Sequence, residues 1–170
     1  MPQSTLIILI FLACAGFVIY AVFLIKTRRK RREKRQRRAV RDKIVRLSKS
    51  RAELTPEEFF EFRSRGFGGR GKPRYAEEIN FEGIYVIYNR TKNKYYVGQG
   101  RRTADRVNMH FTGKGNGDVY ADYKYGDKFT IKMLGLKQSG FKSLNALERE
   151  TIDFYKACAE GYNKTKGNKS

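Results

Sequence analysis

The chain opens on an unbroken apolar run, LIILIFLACAGFVIYAVFLI, from Leu6 to Ile25, with no charged residue. As a helix rising roughly 1.5 Å per residue, such a run spans about 30 Å, the hydrocarbon thickness of a bilayer. It predicts a single transmembrane helix in an anchor over residues 1–25. A signal peptide is the rival, but no Lys or Arg precedes the run, the apolar stretch is too long, and no A-x-A-like site follows it. From Lys26 to Arg51 the pattern changes abruptly to KTRRKRREKRQRRAVRDKIVRLSKSR, in which Glu33 and Asp42 are the only acids. Cations on that flank alone orient the span with its N-terminus outside and the rest of the chain in the cytoplasm. The basic juxtamembrane segment, residues 26–51, is expected to rest on anionic lipid headgroups. A non-specific DNA-binding arm is the alternative.

Past Arg51 the pattern becomes that of a folded domain. Over residues 52–79, Thr55, Pro56 and Glu58 form a helix start, with Thr55 as N-cap and Glu58 closing a capping box. Phe59, Phe60 and Phe62 follow, able to dock on a neighbouring core. Gly66, Gly68, Gly69, Gly71 and Pro73 then predict a flexible linker. Residues 80–168 hold regular elements. The alternating β-formers GIYVIYN and KYYVG predict an antiparallel hairpin over 83–89 and 94–98, with a polar turn between. Thr103 caps an expected helix over 104–111, and a glycine-rich loop over 113–117 leads to a short helix near 119–125. A third strand is expected over 128–134, and Ser143 caps a last helix over 144–159. Three strands and three helices make a small α/β sandwich, an antiparallel sheet flanked by helices.

Composition narrows the chemistry. There are 37 Lys and Arg against 17 Asp and Glu, a net charge of +20, which calls for a polyanionic partner. Two cysteines far apart, Cys14 and Cys158, make no disulfide framework. With His110 the lone histidine, a four-ligand Cys/His zinc site is out of reach, so any metal is held through oxygen, as Mg²⁺ or Mn²⁺ are.

The arrangement of particular residues goes further. Gly83-Ile84-Tyr85 stands on the first strand and Tyr96-Val97-Gly98 on the second, with Tyr96 eleven positions after Tyr85. Arg106 follows Tyr96 by ten, and His110 follows Arg106 by four, one helical turn. Glu148 sits in a Leu-Glu-Arg-x-x-Ile frame, and Gly161-Tyr162-Asn163 closes the segment. Tyr85 and Tyr96 share one face of the hairpin. On the last helix Glu148 falls within the apolar stripe of Leu144, Leu147, Thr151, Ile152, Tyr155 and Cys158, whereas Glu150 points elsewhere. A carboxylate on an inward face is rare unless paired or bound to a metal. These six elements in order resemble the GIY-YIG nucleases, in particular a homing-endonuclease-like branch, with Val97 standing where the family name has Ile.

That resemblance implies a small GIY-YIG-type sandwich and a divalent-metal-dependent DNA endonuclease, here anchored in a membrane. It implies one Mg²⁺ or Mn²⁺ ion held chiefly by Glu148. Tyr85 is implied as general base or water-orienting group and Tyr96 as its supporting hydrogen-bond partner. Arg106 is implied at the scissile phosphate and His110 in proton transfer or phosphate contact. Gly83, Gly98 and Asn163 are implied as structural. Taken singly, strand tyrosines are usually packing residues, a helical arginine a solvated charge, and a lone histidine a satisfied core or surface residue. It is their joint spacing that favours a site. The competing function is a non-catalytic, membrane-tethered nucleic-acid-binding module that reuses the fold.

Overall fold

The computed structural model describes residues 3–64, 80–137 and 139–168, with side chains from residue 16 onward. Helix α1 (Gln3–Lys49) is followed by α2 (Pro56–Ser64), β1 (Gly83–Asn89), β2 (Lys94–Gly100), α3 (Thr103–Phe111), α4 (Gly117–Lys124), β3 (Phe129–Gly135) and α5 (Leu144–Phe154). Two compact units divide the chain, Met1–Val40 and Arg41–Ser170. The expected linker over 66–73 lies outside the described residues.

The single-pass membrane topology is corrected. Among the described residues no helix is long and apolar enough to cross a membrane. Within the described side chains, which begin at Gly16, the apolar run ends at Ile25. The helix then continues into the densely charged residues after Lys26. The remainder of the expected span, residues 6–15, has no described side chains. Within 16–25, Phe17, Val18, Ile19, Tyr20, Phe23 and Ile25 are exposed.

The second unit is built on a three-stranded antiparallel sheet of order β2-β1-β3. The fold is therefore the expected small α/β sandwich. β1 is central and almost wholly buried, because both of its faces are covered. One face, carrying Tyr85, Ile87, Phe129, Ile131 and Met133, packs under Phe59 of α2, Ala104, Val107 and Phe111 of α3 and Val119 of α4. The other carries Ile84, Val86, Val97 and Leu134 and packs on Leu147 and Ile152 of α5. Period-2 alternation thus sorts neighbouring residues of one strand into two cores. Fully burying one such aliphatic or aromatic side chain contributes about 1.5–3 kcal/mol.

The end of α1 joins the second core. Ile44 is buried, Leu47 packs against the second core, and Ser48 Oγ lies 2.9 Å from the Tyr155 hydroxyl. The Arg41 guanidinium sits 5.6 Å from the centroid of the Phe154 ring. The last turns of the basic run are therefore a packing element.

Local signals account for most boundaries. Thr55 and Glu58 exchange the two hydrogen bonds of a capping box, at 2.8 and 3.2 Å. Ser143 caps α5 by accepting from the Ala146 amide. Thr103 does not stand ahead of its helix; it is the first residue of α3, and Arg102 holds the cap position. α5 stops at Phe154, earlier than its apolar stripe suggests. Lys156 takes φ of 52°, the Ala157 amide donates to Ile152 O and the Lys156 amide to Asp153 O. That pair of bonds is a Schellman stop with a lysine in the left-handed position. Cys158 consequently lies beyond the helix.

Each outer edge of the sheet is engaged locally, which interrupts a template for intermolecular pairing. Leu54 exchanges backbone hydrogen bonds with Ile131 on the outer side of β3. On the outer side of β2, the Asn163 side chain accepts from the Val97 amide at 2.8 Å and donates to its carbonyl at 2.7 Å. Asn163 thus takes the place of one residue of a missing strand.

Candidate active site

The register sets Tyr85 opposite Gly98, and Ile87 opposite Tyr96, so the two tyrosines fall on the same face of the sheet. Their ring centroids are 6.2 Å apart. His110, from α3, completes a triangle of rings, 5.4 Å from Tyr85 and 4.6 Å from Tyr96. A Cβ at position 98 would lie 2.3 Å from the Tyr85 hydroxyl oxygen and 2.4 Å from its Cζ. The glycine of the second motif is therefore the floor on which the tyrosine of the first one lies. Gly83 is constrained differently, since a Cβ there would meet the Leu134 carbonyl oxygen of β3 at 2.2 Å.

The Tyr85 hydroxyl and His110 Nε2 are 2.9 Å apart in the interior. The direction of that bond follows from the other ring nitrogen. His110 Nδ1 accepts the backbone N–H of Asn116 at 2.8 Å, a donor that cannot reverse. In the neutral ring the proton must then sit on Nε2, which donates to the Tyr85 oxygen. Burial, aided by the Arg106 charge, holds the His110 pKa down at about 4, so the ring is neutral at ordinary pH. The segment that supplies the donor is itself fixed. Asn116 Oδ1 caps α4 through the Val119 amide, and its Nδ2 donates to Tyr162 O. Gly115 allows the approach, because a Cβ there would stand 2.6 Å from His110 Nδ1.

Burial pushes the Tyr85 hydroxyl far above its ordinary pKa, Tyr96 adds to the rise, and the Arg106 guanidinium opposes it. Tyr96 is also raised by burial. Its hydrogen bond with Tyr85 and the Arg106 charge work against that, and the Glu148 carboxylate adds to it. Arg106 is exposed on α3, and its stem crosses Gly100, where a Cβ would lie 2.9 Å from Arg106 Cγ. Its guanidinium thus presents its charge to both tyrosines and to His110 from the solvent side.

Glu148 is buried, 7 % exposed, while Glu150 on the same helix is half-buried. The inward phase read from the apolar stripe is the observed one. Among the described residues Glu148 makes no ion pair. Its hydrogen-bond partner is the Asn168 amide at a long 3.4 Å. Burial raises its pKa, and that amide partly offsets the rise. Together Tyr85, Tyr96, Arg106 and His110 converge, with Glu148 near enough for its charge to act on Tyr96. The supporting residues Gly100, Gly115 and Asn116 escaped the sequence reading. Their signal was there, a glycine two positions past the motif and a Gly-x-Gly-Asn loop after the histidine, but neither says which ring it will touch.

A second polar cluster stands apart from the rings. Asn89 Nδ2 donates to Asp127 and to the Tyr162 hydroxyl, both at 2.7 Å, and the Tyr162 hydroxyl donates to Asp122 at 2.6 Å. Lys92 pairs with both aspartates. The cluster is internally satisfied and ties the closing Gly161-Tyr162-Asn163 segment to the hairpin, so it is structural.

The protein family described as the GIY-YIG catalytic domain matches residues 81–163, which contain all five of these residues and Asn163. The match does not extend to the homing-endonuclease-like branch. No curated protein and no solved structure matches the chain. The small α/β fold fits that family, so the chain carries a GIY-YIG catalytic domain at residues 81–163, and that domain makes it a nuclease, a phosphodiester hydrolase.

Proposed function

We propose that the domain is an endonuclease that hydrolyses DNA phosphodiester bonds with one divalent cation, Mg²⁺ or Mn²⁺, at Glu148. The observation that carries this reading is the Tyr85–His110 pair. A buried phenol receives a hydrogen bond from a histidine whose tautomer is fixed by a backbone amide, beside an arginine facing solvent. A purely structural tyrosine needs no such arrangement.

The donor set is compatible with a single hard cation. Glu148 is a buried carboxylate without a cationic partner among the described residues, the condition in which metal binding relieves the cost of burying charge. No group of three His, Cys, Asp or Glu gathers among the described residues, so a fully protein-built cage is not on offer. Mg²⁺ suits this, since it is commonly held by one or two carboxylates and completed by water and phosphate oxygens. A bound cation supplies charge neutralisation at the phosphate and a more acidic water.

The chain's own groups divide the remaining work. Arg106 holds a non-bridging oxygen of the scissile phosphate and offsets charge as it builds in the transition state. Tyr85 orients the attacking water. Because its oxygen accepts from His110, its own proton is directed to another acceptor. Should Tyr85 give up that proton, the His110 N–H and the Arg106 charge both stabilise the phenolate. His110 itself acts as a donor, with no lone pair turned toward Tyr85. Tyr96 closes the wall beside both rings.

The test is supercoiled plasmid incubated with the full chain and Mg²⁺, beside Glu148→Ala, Arg106→Ala and an EDTA control. Nicking or linearisation by the parent, lost in all three controls, is the expected result. A folded parent inert on plasmid, single-stranded and branched DNA with either metal refutes it.

A further inference from the structure

The densest charge in the chain lies outside the domain, on α1. Between Lys26 and Arg38, ten of thirteen residues are Lys or Arg, and the other three are Thr27, Glu33 and Gln36. Residues 28–38 are helical and exposed throughout. Five successive cations, Arg28 to Arg32, step around the helix about 100° at a time, so no face is left neutral. Like charges recur at i,i+4 in Arg28–Arg32, Lys30–Lys34, Arg31–Arg35 and Lys34–Arg38, each pair opposing the helix. Against them stands the Arg29–Glu33 pair at 3.0 Å, itself largely exposed. The segment's crowded charge opposes its own helix, so it points to a polyanion.

We propose that residues 26–38 form a non-specific clamp on the phosphate backbone of double-stranded DNA, which holds the substrate for the domain. The proposal rests on DNA being that substrate. Two features select a duplex over a lipid surface. An in-plane membrane helix needs an apolar face, and these thirteen positions contain no apolar residue. The dimensions also match. Thirteen residues make about 20 Å of helix, and about 20 Å of duplex carries about twelve phosphate charges. A helix about 10–12 Å across fits a major groove about 12 Å wide. The segment reads no bases on this account, because arginines and lysines around the whole circumference fix no orientation. It supplies affinity and leaves position to the domain.

The experiment measures binding of the full chain, in non-ionic detergent and EDTA, to a fluorescent 30-base-pair duplex across a salt series. A variant carries all ten cations of 26–38 changed to Gln, a good helix former, and a second carries the first five changed. If half of the ten engage phosphates, the slope of log K against log salt becomes shallower by about 4–5, and by about half that in the second variant. Between 50 and 200 mM salt the parent should then lose about 10²- to 10³-fold more affinity than the ten-site variant. Slopes that coincide within one unit overturn the clamp. So does a variant that keeps its duplex affinity while losing capture by phosphatidylglycerol vesicles, which would make lipid the partner. Plasmid cleavage in Mg²⁺ keeps the two claims apart. Cleavage with coincident slopes removes the clamp alone, and a slope change without cleavage removes the nuclease reading alone.

Discussion

Gly98→Ala places one carbon where the structure has no room for it. The added Cβ would lie 2.3 Å from the Tyr85 hydroxyl oxygen, 2.4 Å from Cζ and 2.9 Å from Cε2, whereas ordinary contact begins near 3.4 Å. The gap must open by about 1.1 Å. Neither backbone yields easily, since β1 is hydrogen-bonded on both sides and Asn163 clamps β2 at the adjacent Val97. The Tyr85 ring must swing instead, and a shift of that size takes its hydroxyl out of reach of His110 Nε2, now 2.9 Å away. Overpacking of this kind costs about 1–3 kcal/mol in stability. A misplacement of about 1 Å in a catalytic group costs about 10²-fold in rate. Single-turnover nicking of supercoiled plasmid measures the second quantity and urea unfolding the first. Gly117→Ala is the control, because a Cβ there meets nothing within 4 Å, and it should change neither by much. A folded Gly98→Ala protein that cleaves within threefold of the parent refutes the role given to this glycine.

Glu148→Gln should trade activity for stability. It removes a buried charge that has no ionic partner, so the urea midpoint at pH 7 rises while cleavage falls by at least about 10²-fold. A fall in both would mean that Glu148 is a structural acid. Arg106→Lys keeps the charge but loses the planar fork, and plasmid cleavage should drop by about 10²–10³-fold with little change in stability, since the side chain is exposed. His110 should make the fold sensitive to acid. Its folded pKa near 4 lies below the unfolded value near 6.5, so the unfolded chain binds the extra proton between them. The stability is fully present above about pH 6.5 and falls by roughly 3 kcal/mol as pH drops to 4. Comparing unfolding of the parent and His110→Asn across that range isolates this from Glu148, whose raised pKa acts in the opposite direction. Parallel curves would contradict a buried neutral histidine.

What the sequence made legible was whatever is decided by local period and spacing. Two-residue alternation fixed which strand residues share a face, and with it the meeting of Tyr85 and Tyr96. The 3.6-residue stripe fixed Glu148 as the inward acid over Glu150. Caps at Thr55 and Ser143 were readable because their bonds close within three residues. The failures share a different cause. The stop of α5 depends on a lysine accepting a left-handed conformation, which composition does not announce. The meaning of Gly98, Gly100 and Gly115 depends on which side chain arrives from another element, a long-range fact. The tautomer of His110 is set by a backbone amide six residues onward, invisible until the loop is folded. The apolar run was judged on hydropathy alone, and among the described residues no helix is long and apolar enough to cross a membrane.

The most direct measurement on the central claim is the single-turnover cleavage rate of Tyr85→Phe in Mg²⁺, with parent and variant matched for folding by urea midpoint. The substitution removes one oxygen, the atom that accepts from His110 Nε2, and leaves the ring on Gly98. If that oxygen orients the nucleophile, the rate falls by about 10²-fold or more while duplex affinity in EDTA stays within threefold. A folded Tyr85→Phe protein that cleaves at the parental rate would contradict the account, and would leave the phenol as packing for the sheet.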